Sequence, residues 1–119
     1  MKKFFTGLLL LTVLAGPALI QPAWAHATLQ KASPAKNAKV ASPHEITLRF
    51  SEALEPAFSG AILLDADGRN VTGAPVKIDG PVITITPGHL DPGVYRVNWH
   101  SVGHDTHRLE GEFSFTVKP

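Results

Sequence analysis

The chain contains no cysteine, and its one methionine is the first residue. A disulfide framework is therefore excluded, and so are thiolate metal sites and any sulfur-rich cage for a soft ion. Charge is sparse, with 18% of the 119 residues being Asp, Glu, Lys or Arg. There is no repeat, no low-complexity tract and no internal linker, and no stretch carries a convincing helical periodicity. The sequence has one long apolar run, Phe4 to Ile20, and Gly7, Gly16 and Pro17 interrupt it. At 17 residues it is marginal against the roughly 20 apolar residues of a membrane-spanning helix, and no basic stop-transfer cluster follows it.

That run has a different context. Lys2 and Lys3 precede it, and Ala23-Trp24-Ala25 closes it with a small-x-small pattern. A positive start, an apolar middle and a small-residue end are the three parts of a secretory signal. Residues 1–25 are expected to be a cleaved signal peptide and 26–119 the exported domain, placing the mature protein in the periplasm. Removing 25 of the 119 residues leaves 94, enough for one small core. The mature part carries 9 Lys+Arg against 10 Asp+Glu, so the slight basicity of the full chain belongs to the leader. No basic field remains for nucleic acid or an anionic membrane.

What the mature part does have is short β-prone runs between Pro, Gly, Asn and Asp clusters. Ile46-Thr47-Leu48-Arg49-Phe50 alternates strictly, and Ala61 to Leu64 leads into the turn signal Asp67-Gly68. Val71 to Ile78, broken by Gly73 and Pro75, reads as an edge strand. Val82 to Thr86 is another strand. From Gly93 to His100, Tyr95, Val97 and Trp99 share one face; from Glu112 to Val117, Phe113, Phe115 and Val117 do. About seven such strands predict an all-β fold, an antiparallel Ig-like sandwich or Greek-key barrel, with Trp99 as its large central core residue.

All six histidines lie after Ala25. Cleavage there would make His26 the first residue, and a free terminal amine deprotonates readily in competition with a divalent metal. Amine and imidazole of one residue could then close a chelate ring. The bland alternative is chance, since some residue must follow any cut. In Gly103-His104-Asp105-Thr106-His107, the i, i+2 spacing of Asp105 and His107 points both side chains to one side of an extended segment. The alternative there is a solvated polar loop with Asp105 bonding backbone N–H groups. Taken together, the amine, two imidazoles and a carboxylate form an N3O set that suits tetragonal Cu(II), which heads the divalent affinity order. His44, His89, His100 and His104 read as surface or turn residues, with His104 nearest the candidate site.

Two segments, HATLQKASPAKNAKVASPHEITLRFSEALE and YRVNWHSVGHDTHRLEGEFSFTV, resemble the CopC family of small periplasmic copper-resistance proteins. The resemblance spans essentially the whole mature chain. Its most specific elements are the first-position His, Phe50-Ser51-Glu52, the Tyr-x-Val-x-Trp strand, and Asp-x-His ahead of Gly111-Glu112-Phe113-Ser114-Phe115. It implies an Ig-like fold, a Cu(II) site of His26, Asp105 and His107, and Glu52 in the outer sphere of that site, accepting a hydrogen bond from a metal-bound group. It further implies a copper carrier or buffer rather than an enzyme, monomeric, with an inner-membrane CopD-type transporter as partner. Some members hold Cu(I) in a methionine-rich loop; a mature chain without methionine departs from that pattern and is expected to bind Cu(II) alone. Two other readings compete with the copper carrier. One is a copper monooxygenase of the histidine-brace type, against which stand the small surface and the carboxylate in the ligand set. The other is a metal-free Ig-like module.

Overall fold

The computed structural model describes Gly16 and residues 26–119. The expected signal peptide and its cleavage point fall on residues 1–25 and lie outside the described residues, Gly16 apart. Eight strands follow in order: β1 (Leu29–Ser33), β2 (Lys39–Val40), β3 (Ile46–Phe50), β4 (Gly60–Leu64), β5 (Lys77–Asp79), β6 (Val82–Ile85), β7 (Gly93–Val102) and β8 (Arg108–Val117). They form two four-stranded sheets, ordered β1-β3-β6-β5 and β2-β8-β7-β4. Every pairing is antiparallel except the short parallel contact of β2 with β8. The all-β sandwich expected from the strand rhythm is the fold observed, with eight strands rather than about seven.

The strands form where side chains alternate between core and solvent. In β3, Ile46, Leu48 and Phe50 are buried while Arg49 is exposed. Ile83 and Ile85 of β6 join them from the same sheet, and Leu63, Val97, Phe113, Phe115 and Val117 from the other. Each fully buried side chain of this size contributes roughly 1.5–3 kcal/mol by leaving water. Tyr95 packs on Phe115 with ring centroids 5.8 Å apart, and its hydroxyl donates to the Asp91 carbonyl at 2.6 Å. That bond back to the preceding loop is the tyrosine corner of Ig-like sandwiches. Burial, helped by Asp91 and Asp65, raises the Tyr95 phenol above its ordinary pKa.

Two expectations need correction, the extent of the Val71–Ile78 strand and the place of Trp99, and the turn between them is met. The Val71–Ile78 run is a strand only from Lys77 onward, although β5 does lie at the sheet edge as expected. Gly73 there has φ +78, and a Cβ on it would stand 2.7 Å from the Thr86 carbonyl oxygen, so the chain passes too close to its neighbour to pleat. Asp67-Gly68 does turn the chain as expected: the Asp65 N–H donates to the Arg69 carbonyl at 2.9 Å, Leu64 bridges Asn70 antiparallel, and the Asp65 carboxylate accepts the N–H groups of Asp67 and Arg69. Trp99 is not central. It is only partly buried, lies over its cross-strand partner Gly111 and packs edge-on against Phe50 from the rim of the core, with ring centroids 5.2 Å apart.

The longest pairing, β7 with β8, runs in register from Gly93↔Val117 to Val102↔Arg108. It projects the connecting residues 103–107 at one end of the sandwich. There they meet residues 26–28, which lead into β1, and Ser51-Glu52, which follow β3.

Candidate metal centre

Three separate parts of the chain converge at this end. The segment 26–28 is tied to both sheets before any ligand is considered. Ala27 is wholly buried, and its carbonyl accepts the hydroxyl of Ser101, itself wholly buried in β7, at 2.6 Å. Ser51 donates its hydroxyl to the His26 carbonyl at 3.0 Å and accepts the Thr28 N–H at 2.9 Å. The Ser51 N–H in turn reaches the Thr28 carbonyl at 2.8 Å. His26 is thus anchored by its own backbone, with its ring left free to face the 103–107 loop.

That loop is a turn. The Thr106 N–H donates to the Gly103 carbonyl at 3.1 Å, and Thr106 adopts φ +64. The extended geometry expected for Asp105 and His107 is therefore not the one observed. The two side chains come together because a left-handed residue between them reverses the chain, and because Asp105 Oδ1 accepts the His107 N–H at 3.1 Å. A non-glycine residue in that region is uncommon, and such residues cluster at ligand-holding sites.

The result brings the expected trio into one place. His26 Nδ1 donates to Asp105 Oδ2 at 2.8 Å, His107 Nδ1 stands 3.3 Å from the same oxygen, and the two imidazole centroids are 5.0 Å apart. One donor atom from each of His26, Asp105 and His107 lies within 4.8 Å of the others, the one such His/Asp/Glu trio among the described residues. Nδ1 is also the His26 ring nitrogen that can share a chelate ring, through Cγ, Cβ and Cα, with the backbone nitrogen of the same residue. The site is accessible but not open: the Asp105 side chain is 23% exposed and the His107 side chain 68%. Partial burial works to raise the Asp105 carboxyl. The His107 N–H, the His26 hydrogen bond and the two imidazoles outweigh it and hold the group below the ordinary carboxylate value. A carboxylate kept ionised beside two imidazoles is a ready oxygen donor for a hard or borderline divalent ion.

Glu52 is at the site, in a different contact from the one the resemblance implied. Its Oε1 accepts the backbone N–H of His104 at 3.1 Å, so it holds the loop rather than a ligand side chain. His104 is not one of the trio, and its ring stands 3.8 Å from Glu55. His89 pairs at 3.5 Å with Asp91 on the surface, and His44 is exposed. His100 lies on β7 against Gly60. Sequence reasoning named Ser51 only within the Phe50-Ser51-Glu52 segment and Gly103 only within the Gly103–His107 motif, without a role for either, and did not single out Ser101. For Ser101 the available signal was a polar residue two positions beyond Trp99 on an otherwise apolar face.

Residues 29–118 match the CopC domain family. The chain is 41% identical to protein YobA of Escherichia coli K12 over 106 residues, covering 84% of this chain and 86% of that one. Among solved structures it resembles CopC from Methylosinus trichosporium OB3b, with TM-score 0.72 and 34% identity over 79% of this chain and 95% of that one. It also resembles PcoC, a methionine-rich copper resistance protein of Escherichia coli, with TM-score 0.69 and 37% identity over 78% of this chain and 99% of that one. The anchored His26, the Asp-x-His turn and the eight-stranded sandwich accordingly sit on a chain that belongs to the CopC domain family.

Proposed function

We propose that this protein is a periplasmic copper-binding protein that holds one Cu(II) ion through His26, Asp105 and His107 and sequesters or carries it for copper homeostasis. The observation that carries this reading is the convergence, within 4.8 Å, of donor atoms from His26 and from the loop some eighty residues later. In the uncleaved chain the His26 nitrogen is a peptide nitrogen and a poor donor. Cleavage after Ala25 would convert it to an amine, next to an imidazole already directed at Asp105. The donor set is then three nitrogens and one oxygen, without sulfur. Such a set favours Cu(II) over the other divalent first-row ions and contains no thiolate or thioether of the kind that selects Cu(I). In this it differs from a relative described as methionine-rich, since the sole methionine here is Met1.

The proposal assigns no catalysis to the site. Its role for Asp105 is to complete the ligand set, and its role for the fold is to hold the ligands in place before the ion arrives. The onward partner we assign is an inner-membrane copper transporter of the CopD type, to be tested by copper-dependent co-purification of the two.

The deciding experiment compares protein beginning at His26 with the same protein carrying one extra alanine ahead of it. Copper(II) titration against a competing chelator should show the extended form weaker by more than the roughly 10- to 100-fold that loss of a ligand-orienting residue costs. Equal affinities, or affinity of the His26 form no better than that of a histidine-led peptide, would refute the reading.

A further inference from the structure

Gly103 sits at the crossing of the three site segments, and its backbone lies outside the left-handed region, so conformation alone would admit alanine there. Space does not. A Cβ on Gly103 would overlap Glu52 Oε1, stand 2.8 Å from Glu52 Cδ and approach the Ala27 Cβ to 3.3 Å. Glu52 Oε1 occupies the space beside the bare Cα that a Cβ would take, and the same oxygen accepts the N–H of the next residue, His104. The neighbouring Ser51 holds the other half of the site through the His26 carbonyl. One dipeptide after β3 therefore grips both the N-terminal segment and the ligand loop. The loop's other backbone bonds, Thr106 to Gly103 and His107 to Asp105, are internal to it and do not tie it to the opposite sheet.

We propose that Gly103 is a positioning residue: the missing side chain is what admits the Glu52 carboxylate, and the Glu52–His104 bond so formed holds the Asp105–His107 turn facing His26. The effect on copper rests on the metal site proposed above; the effect on the loop does not. The contact is a hydrogen bond to a backbone donor, so a neutral acceptor of the same shape serves. Charge on Glu52 is not the requirement.

The test uses protein processed to begin at His26, which retains all eight strands, in four variants: Gly103→Ala, Glu52→Ala, the double substitution, and Glu52→Gln. Amide hydrogen exchange at His104 in the metal-free protein reads the bond directly, and copper(II) titration reads its consequence. Gly103→Ala and Glu52→Ala should each speed exchange at His104 and weaken copper binding roughly 10- to 100-fold. In the double variant the overlap is gone, leaving only the Ala27 contact, which a shift of a few tenths of an ångström relieves. Gly103→Ala should therefore add nothing once Glu52 is alanine, and Glu52→Gln should behave as wild type. Unchanged exchange at His104 in Gly103→Ala, or equal losses from Gly103→Ala with and without Glu52, would overturn the proposal. If the exchange coupling is present but unaltered protein binds copper no better than a peptide, the positioning role stands and the copper reading falls.

Discussion

Asp105 divides its two oxygens between two tasks. Oδ1 takes the His107 N–H and shapes the turn, while Oδ2 faces both imidazoles and is the atom free to meet an ion. The tasks can be separated by substitution. Asparagine keeps a carbonyl oxygen for the turn but loses the charge and presents a neutral amide to the imidazoles. Asp105→Asn is expected to lower copper(II) affinity strongly while leaving the thermal melt of the metal-free protein near that of wild type. Asp105→Ala should lower both, because the His107 N–H then loses its acceptor. Titration and differential scanning calorimetry on the same samples check this; an Asp105→Asn protein with unaltered copper affinity would remove Asp105 from the ligand set. His26 is a different case, because in the proposed site its contribution would depend on a backbone nitrogen freed by processing, and no side-chain substitution imitates that.

At the level of elements, the β7–β8 pairing does most to build the site, and Gly111 is its narrowest point. The Trp99 indole lies over this glycine, so a Cβ would stand 2.7 Å from Cε2 and 3.0 Å from Nε1. Gly111→Ala is expected to cost about 1–3 kcal/mol as the indole is driven off its position, the usual range for overpacking. Chemical denaturation should show a lower midpoint with an unchanged slope, and wild-type stability would mean the indole moves freely. The same hairpin shows why parts of this fold were legible. Tyr95, Val97, Phe113, Phe115 and Val117 each obey a two-residue period because one face meets the core and the other meets water. β1 broke that rule through an irregularity between Leu29 and Lys31, and β2 is two residues long, so neither carried a readable pattern. The trio His26, Asp105 and His107 was legible from residue types and family resemblance. The turn that joins Asp105 to His107 was not, because it depends on the backbone of Thr106. Ser51, Ser101 and Gly103 act on backbone groups or by being small, and such roles leave no periodicity or charge pattern in a sequence.

Taken whole, the sandwich carries its titratable groups mostly on its surface, and His100 is an exception with consequences for every strand. It lies on β7 opposite Glu110 and is not one of the site trio. Burial, with Arg108 assisting and Glu110 opposing, lowers its pKa below the ordinary 6.5. The sign of the linkage follows from which state holds the proton. Between the lowered folded value and the ordinary one, the unfolded chain is protonated at this residue and the folded chain is not, so acid favours unfolding. Stability from His100 is complete above the ordinary value, falls as the pH drops through the window, and levels off below the folded value. The melting temperature of metal-free protein should therefore decline as the pH is lowered through 6.5, and His100→Gln should flatten part of that decline while leaving the proposed copper ligands untouched. Melts of the two proteins across this range at constant ionic strength make the comparison; parallel curves would show that His100 has no share in the pH dependence of the fold.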